Sequence, residues 1–454
     1  MSSISPAQPA EPILALDLTA RQWKVLFAAW LGWGFDIFDA LLFNYVAANC
    51  IASLLHLTLG TPEAKSAALF WTGVASSVLL LGSAAGGILF GRIADRFGRS
   101  RTMIGTMVLY AVGTAACALA PNLWVLLLCR LISALGIGGE WAAGASMVAE
   151  VVPEKRRVEA GALLYSSAPV GLFLATFVNW LVAGVWMAGD PATSWRWVFA
   201  FGILPALVAI LVRRGLREPE RWAAVVEQGA AKVGPARFSE LFSPAYRKMT
   251  LSGLLMAVTA MLMWWGCNAF IPLVAGGLGD RAAAAGGLVG AARQGLIESW
   301  KTTATNLFNL GGLIGTLATV PVAKRLGRRP MYAIYFSLSA VAIFMAFGVT
   351  WPEQWRLYLY FPVGVAVFGV FGSFTYYLPE LFPTRLRSTG AGFCYNAGRV
   401  IAAGGPFIVG SVASKGANSL DTALSLLTWI AVVPVLGLFA LPWVVETKGR
   451  VLED

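Results

Sequence analysis

A few ionisable side chains stand inside long apolar runs of a 454-residue chain in which only 13% of residues are charged. Asp36 and Asp39 lie near the middle of one run, Arg130 and Glu140 share another, and Arg399 occupies a third. A charge at bilayer depth costs a few kcal/mol at least, so each is a functional candidate by default. Three residues apart, Asp36 and Asp39 project from one face of a helix. Two neighbouring carboxylates in a low dielectric cannot both ionise cheaply, which makes at least one a candidate proton carrier. A competing reading pairs one aspartate with Arg130 or Arg399 and leaves the other to cap a backbone break. Glu140 follows Gly138 and Gly139, which let helices pack closely. It is either a second protonation site or half of an ion pair. Arg130 is a poor partner, because ten residues separate the two by about 15 Å along a helix.

Arg399 carries a permanent charge and a forked donor array suited to a carboxylate. Tyr395 and Asn396, four and three residues before it, can add donors on the same face. The alternative is an arginine locked to an aspartate. Arg130, Asn268 and Asn309 are further substrate-binding candidates, with Asn306 beside them. Each could equally hold helices together. Trp264 and Trp265 read as packing or interface anchors, and Tyr376 and Tyr377 as interfacial anchors.

These residues need helices that cross a membrane. The chain is 58% hydrophobic and has a mean hydropathy of +0.70, far from the composition of a water-soluble domain. Stretches long enough to span the hydrocarbon core fall at 23–49, 67–91, 102–120, 123–148, 158–186, 196–213, 249–274, 298–322, 331–349, 355–378, 386–412 and 420–443. Their length argues against a barrel. The fold class is therefore an all-α integral membrane protein.

The formal net charge of +11 raises the possibility of nucleic acid as a partner, but topology explains it better. With twelve spans and both termini in the cytoplasm, the outer segments hold only Lys65, Arg196, Arg281, Arg293, Lys301, Arg356 and Lys415. Nearly all other Lys and Arg fall inside, as the positive-inside rule requires. His56 is the single histidine and sits in an outer loop, so a buried histidine relay is excluded. The five cysteines have no metal or disulfide spacing. No Walker Lys-Ser/Thr loop is present, and no nucleophile–base constellation suggests an enzyme. No cofactor or metal is expected.

The hydrophilic segment 213–248 splits the spans six and six. The expected organisation is a tail (1–22), a first bundle (23–212), this linker, a second bundle (249–443) and a second tail (444–454). The halves echo one another. Gly98 in Gly91-Arg92-Ile93-Ala94-Asp95-Arg96-Phe97-Gly98-Arg99 aligns with Gly327 in Ala323-Lys324-Arg325-Leu326-Gly327-Arg328-Arg329, at an offset of 229. Glu150, Pro153 and Arg157 align with Glu380, Pro383 and Arg387 at 230. A duplicated six-helix unit follows. In these inner loops Asp95, Arg96, Arg99, Glu150, Arg157, Glu380 and Arg387 either latch the halves in one state or only fix topology.

At these loops the chain resembles the major facilitator superfamily. Gly91-x-x-x-Asp95-Arg96-x-Gly98-Arg99 is similar to its signature between helices two and three. Arg130 through Gly136-x-Gly138, then Glu150-x-x-Pro153, resembles sugar-porter-like members, as do Arg217-Glu218-Pro219 and Glu446-Thr447-Lys448-Gly449, the last two without the usual prolines. Gly138-Gly139-Glu140-Trp141 resembles proton symporters of organic acids. Trp33-Gly34-Phe35-Asp36-x-Phe38-Asp39 and Gly392-Phe393-Cys394-Tyr395-Asn396-x-Gly398-Arg399 resemble the sialate or monocarboxylate branch. The resemblance implies two pseudo-symmetric bundles, a monomer in the cell inner membrane, and proton-coupled uptake of a small organic anion by alternating access. A neutral-sugar carrier and a non-transporting membrane sensor are the alternatives.

Overall fold

The computed structural model describes residues 17–97, 99–153, 156–204, 207, 208, 211 and 238–449. These form twelve helical units. The first six are α1 (Ala20–Leu54), α2 (Pro62–Phe97), α3 (Arg99–Cys117), α4 (Leu123–Val151), α5 (Arg157–Tyr165, Ser167–Asn179 and a π-turn Trp180–Trp186) and α6 (Pro191–Phe201). Then come α7 (Arg247–Asn268 and Ile271–Ala285), α8 (Gly290–Leu326), α9 (Arg328–Ile343 and a π-turn Phe344–Gly348), α10 (Glu353–Phe371 and Phe374–Glu380), α11 (Thr384–Ala402 and Gly404–Ala413) and α12 (Ser419–Trp429 and Val432–Phe439).

Helix is dictated by the solvent: lipid offers no hydrogen bonds, so each span must satisfy its own backbone. The ends are closed by side chains. Thr19 and Gln22 form a reciprocal capping box at the start of α1, and Asn122 caps α4. Among the described residues, nine units are long and apolar enough to cross a membrane. The exceptions are α3, α6 and α11; α11 carries Arg385, Arg387 and Arg399, which lower its apolarity. Exposed Leu119, Trp124, Phe439 and Trp429 lie on the outside of the molecule, as lipid-facing side chains should.

The seventh and eighth spans differ from the sequence expectation. Instead of ending at 274, α7 continues to Ala285, and α8 begins at Gly290 rather than 298. Asp280, Arg281, Arg293, Glu298 and Lys301 interrupt the apolar pattern, but they neutralise one another. Asp280 accepts from Arg293 (2.5 Å) and Lys65 (2.8 Å), Arg281 pairs with Asp421 (2.7 Å), and Glu298 with Lys301 (2.5 Å). Arg196 and Arg356 close helix ends. Arg196 donates to the Ala118 carbonyl (2.8 Å), and Arg356 to those of Ala346 (2.8 Å) and Val349 (3.1 Å), where a helix end leaves acceptors without intrahelical donors.

Helices α1–α6 pack into one bundle and α7–α12 into a second, with α2 against α11 and α5 against α8 where the bundles meet. Crossings inside each bundle rely on glycine. A methyl group at Gly138 of α4 would run into the Ser83 carbonyl of α2, and one at Gly315 of α8 into the Val365 carbonyl of α10. Such contact between backbones replaces the hydrophobic driving force that lipid withholds. Of the proposed linker, residues 213–237 lie outside the described ones, as do residues 1–16 of the first tail and 450–454 of the second.

Candidate functional site

The first part of α11 delivers Tyr395, Asn396 and Arg399 to the region between the bundles. Arg399 is only 9% exposed. Its guanidinium lies 4.7 Å over the Tyr395 ring, and its Nη1 has no hydrogen-bond partner among the described residues. A buried, unused guanidinium donor is costly unless a ligand completes it. Asn396 is also buried, and its Oδ1 lacks a partner among the described residues. It faces Gly87 of α2, where an added methyl group would lie 2.8 Å from Nδ2.

Around Arg399 the two bundles contribute a connected set of rings. Tyr395 meets Phe374 (6.3 Å between centroids), Phe374 meets Phe371 (5.4 Å), and Phe371 meets Tyr165 of α5 (6.0 Å). Tyr165 stands edge-on to Trp33 of α1 (5.1 Å), and Trp264 of α7 reaches Phe371 (5.8 Å). Tyr165 also lies close enough to Arg399 to feel its charge. The arrangement joins a cation to flat apolar walls, which is what a small planar carboxylate needs. Sequence reasoning found the polar members. Trp33, Tyr165 and Phe371 escaped it, because nothing in an apolar run marks which aromatic faces the partner bundle. Trp264 and Trp265 pack against each other (4.9 Å) and are buried, rather than lying at a membrane interface.

Asp36 and Asp39 are both buried, at 3% and 1% exposure. Asp39 lies among α1, α3, α4 and α6: Thr114 and Arg130 are its neighbours, and Gly202 leaves room for its Oδ1. Arg130 donates to the carbonyls of Asp39 (3.1 Å) and Ala40 (2.5 Å) and sits over Phe43 (5.6 Å). These bonds tie α4 to α1 within the first bundle. Glu140 is 2% exposed in α4. Asn268 is buried where α7 breaks; Asn309 is buried in α8, beside the hydroxyl of Tyr45. Asn306, one turn before Asn309, keeps an Oδ1 without a partner among the described residues.

On the face that carries the helix ends nearest the termini, Glu380 accepts two bonds from Arg328 (2.7 and 3.2 Å) and one from Thr447 (2.6 Å). Arg328 opens α9 and Thr447 lies in the tail after α12, so Glu380 ties α10 to both. Among the described residues, Glu159 of α5 and Lys324 of α8 pair across the bundles on this face, with Arg156 3.8 Å from Glu159. Arg157 opens α5 next to Arg156. The side chains of Asp95, Arg96, Arg99, Glu150 and Arg387 lie outside the described residues. Tyr376 and Tyr377 are buried rather than interfacial: Tyr377 binds Ser252 (2.6 Å) and the Val445 carbonyl (3.1 Å), and Tyr376 underlies Arg328.

On the opposite face a cavity of about 430 Å³ opens between the bundles, and no site residue expected from the sequence lines it.

Residues 26–406 match the model of the Major Facilitator Superfamily. A Haemophilus influenzae protein named for metabolite transport is 30% identical over 95% of this chain and 98% of its own length. A Cupriavidus pinatubonensis protein named as a 4-methylmuconolactone transporter is 29% identical over 96% and 93%. The crystal structure of a D-xylose-proton symporter shares the fold, with a TM-score of 0.72 at 18% identity over 95% of this chain and 99% of that one. Twelve helices in two glycine-crossed bundles, a polar cluster between them and a family match across most of the length agree: the chain belongs to the Major Facilitator Superfamily, a family of membrane transporters rather than enzymes.

Proposed function

We propose that this transporter carries a small, flat organic anion, such as an aromatic acid or another ring carboxylate, together with a proton. The observation that carries the reading is the buried Arg399, with an unused Nη1 donor inside a ring of aromatic side chains drawn from both bundles. A carboxylate completes the guanidinium, and the rings cover the rest of the solute. The relative named for 4-methylmuconolactone points to the same class of cargo. Asp36 and Asp39 supply the proton site: carboxylates buried in the first bundle are neutral when protonated and charged when not. Coupling arises if solute and proton together favour reorientation more than either alone. The charge distribution supports cytoplasmic termini in a bacterial inner membrane, a monomer as the working unit, and an outward position for the cavity on the far face.

The test is uptake into proteoliposomes of radiolabelled benzoate, lactate, sialate, 4-methylmuconolactone and a hexose, with and without an inward proton gradient. Acid-stimulated uptake of a ring carboxylate, abolished when the gradient is dissipated, is expected. Uptake of the hexose alone would replace this reading with a neutral-sugar carrier, and binding without flux would favour a sensor.

A further inference from the structure

The far-face cavity is a built site. Its walls come from both bundles: Asn44 and Tyr45 of α1, Lys65 and Ala68 of α2, Asp280 of α7, and Arg293 and Lys301 of α8, with apolar Leu69, Leu273 and Ile297 between them. Three lining cations face one lining carboxylate. Asp280 is spoken for by both Lys65 and Arg293, and Glu298, just behind the wall, by Lys301, Asn179 (2.8 Å) and Gln294 (2.9 Å). The field in the cavity is therefore positive, and low-dielectric walls concentrate it.

Lys301 is the centre of the site. Its side chain is nearly fully buried, an uncommon state for lysine, and Gly276 lies against its stem, where a methyl group would stand 3.2 Å from Cδ. An ammonium has three donors. One goes to Glu298 (2.5 Å) and one to the Tyr45 carbonyl across the bundle boundary (3.1 Å), which leaves a third. Asn44, 3% exposed, carries a buried Nδ2 with no hydrogen-bond partner among the described residues. A buried amide donor without a partner among the described residues and an ammonium with two of its three donors engaged thus line one positive cavity whose volume suits a small ligand.

We infer that the far-face cavity is a second carboxylate-binding site, distinct from Arg399, in which Lys301 and Asn44 hold the anion before it moves inward. The inference rests on the proposed class of cargo. Tyr45, which lines the cavity, has its hydroxyl beside Thr176 and Asn309. Because Lys301 bonds to α1 while rooted in α8, an arriving carboxylate competes for the same ammonium and loosens one tie between the bundles. Recruitment and opening are then one event.

The experiment uses the full chain in detergent with Ala291→Cys, at an exposed position lining the cavity, as a reporter. All five native cysteines are buried, so a water-soluble maleimide labels the introduced thiol. Benzoate is the probe. It is expected to protect that thiol even when Arg399→Gln has removed the central site, and at about nine times its Kd to slow labelling about tenfold by mass action. Lys301→Met should abolish protection and Lys301→Arg should retain it. The double variant Lys301→Met/Glu298→Gln leaves no unpaired charge and keeps the test sound if the single variant misfolds; Asn44→Ala should weaken protection. Loss of protection with Arg399→Gln alone, or protection that survives in the double variant, would overturn the inference, as would its absence from the parent reporter. The cargo reading fails separately, by absence of ring-carboxylate uptake in proteoliposomes.

Discussion

Arg399 is nearly buried and its Nη1 has no hydrogen-bond partner among the described residues; in the proposed function cargo completes its bonding. Arg399→Gln is expected to cut uptake of the preferred acid about 100-fold, the scale for removing one side of a buried, hydrogen-bonded charge contact. Arg399→Lys should recover little of it, since a point charge does not reproduce a planar fork. Initial rates at several acid concentrations check both. Asp36→Asn and Asp39→Asn are expected to separate coupling from movement: at least one loses acid-driven accumulation yet still exchanges labelled for unlabelled acid. Accumulation unchanged in both would remove the proton role. Glu446 offers a residue-scale test of stability. Burial alone would raise its pKa, but backbone N–H groups of Arg328, Arg329 and Lys448 and the Arg328 charge outweigh that and hold it below the usual carboxylate range. Its ionised form stabilises the fold above the unfolded pKa of about 4.3, and that stability is lost as pH falls through the lower folded value. Glu446→Gln should therefore cost about 1 kcal/mol at pH 7, discounted for partial exposure. The gap from the parent in thermal unfolding should close at acid pH. Polar residues were the legible part of the site, because charge in an apolar run is conspicuous. Trp33, Tyr165 and Phe371 were not: each belongs to a run rich in other aromatics, and only packing selects the ring that faces the second bundle.

At the level of helices, the crossings of α2 with α4 and α8 with α10 depend on glycines that meet a neighbour's backbone. A carbonyl cannot swing aside as a side chain can, so Gly315→Leu should separate α8 from α10. Loss of a monodisperse peak in size-exclusion chromatography is expected. The same change at Gly392, which has nothing close by, should leave folding intact. Helix existence was readable from hydropathy, yet the far ends of α7 and α8 were not. A window of hydropathy counts Asp280, Arg293, Glu298 and Lys301 as four penalties, whereas the fold presents them as paired charges. At Glu380 the sequence left a latch between halves and a topological role both open; the glutamate bonds to Arg328 and Thr447. Glu159 and Lys324 pair across the boundary. Lys324 belongs to the echoed motif but Glu159 does not, so the repeat alone could not reveal the pair.

For the whole molecule, the bundles are joined on both faces. Glu159 and Lys324 connect them on one side, where Gly161 of α5 also approaches Thr375 of α10. On the other, Lys65 meets Asp280, Asn179 meets Glu298, and Lys301 reaches the Tyr45 carbonyl. Alternating access requires these ties to break in turn. A Cβ at Gly161 would stand 3.2 Å from that of Thr375, slightly shorter than the separation a disulfide takes. Gly161→Cys/Thr375→Cys should therefore oxidise readily after a small adjustment, stop transport, and recover it on reduction. Transport that continues through the crosslink would show that these segments need not part. The most direct measurement of the central claim is gradient-driven uptake of a ring carboxylate by purified protein in liposomes, with the parent chain and Arg399→Gln side by side. The parent should accumulate the acid only while the inner compartment is more alkaline, and the variant should not accumulate it under any gradient. Equal accumulation by both, or uptake indifferent to pH, would contradict the account.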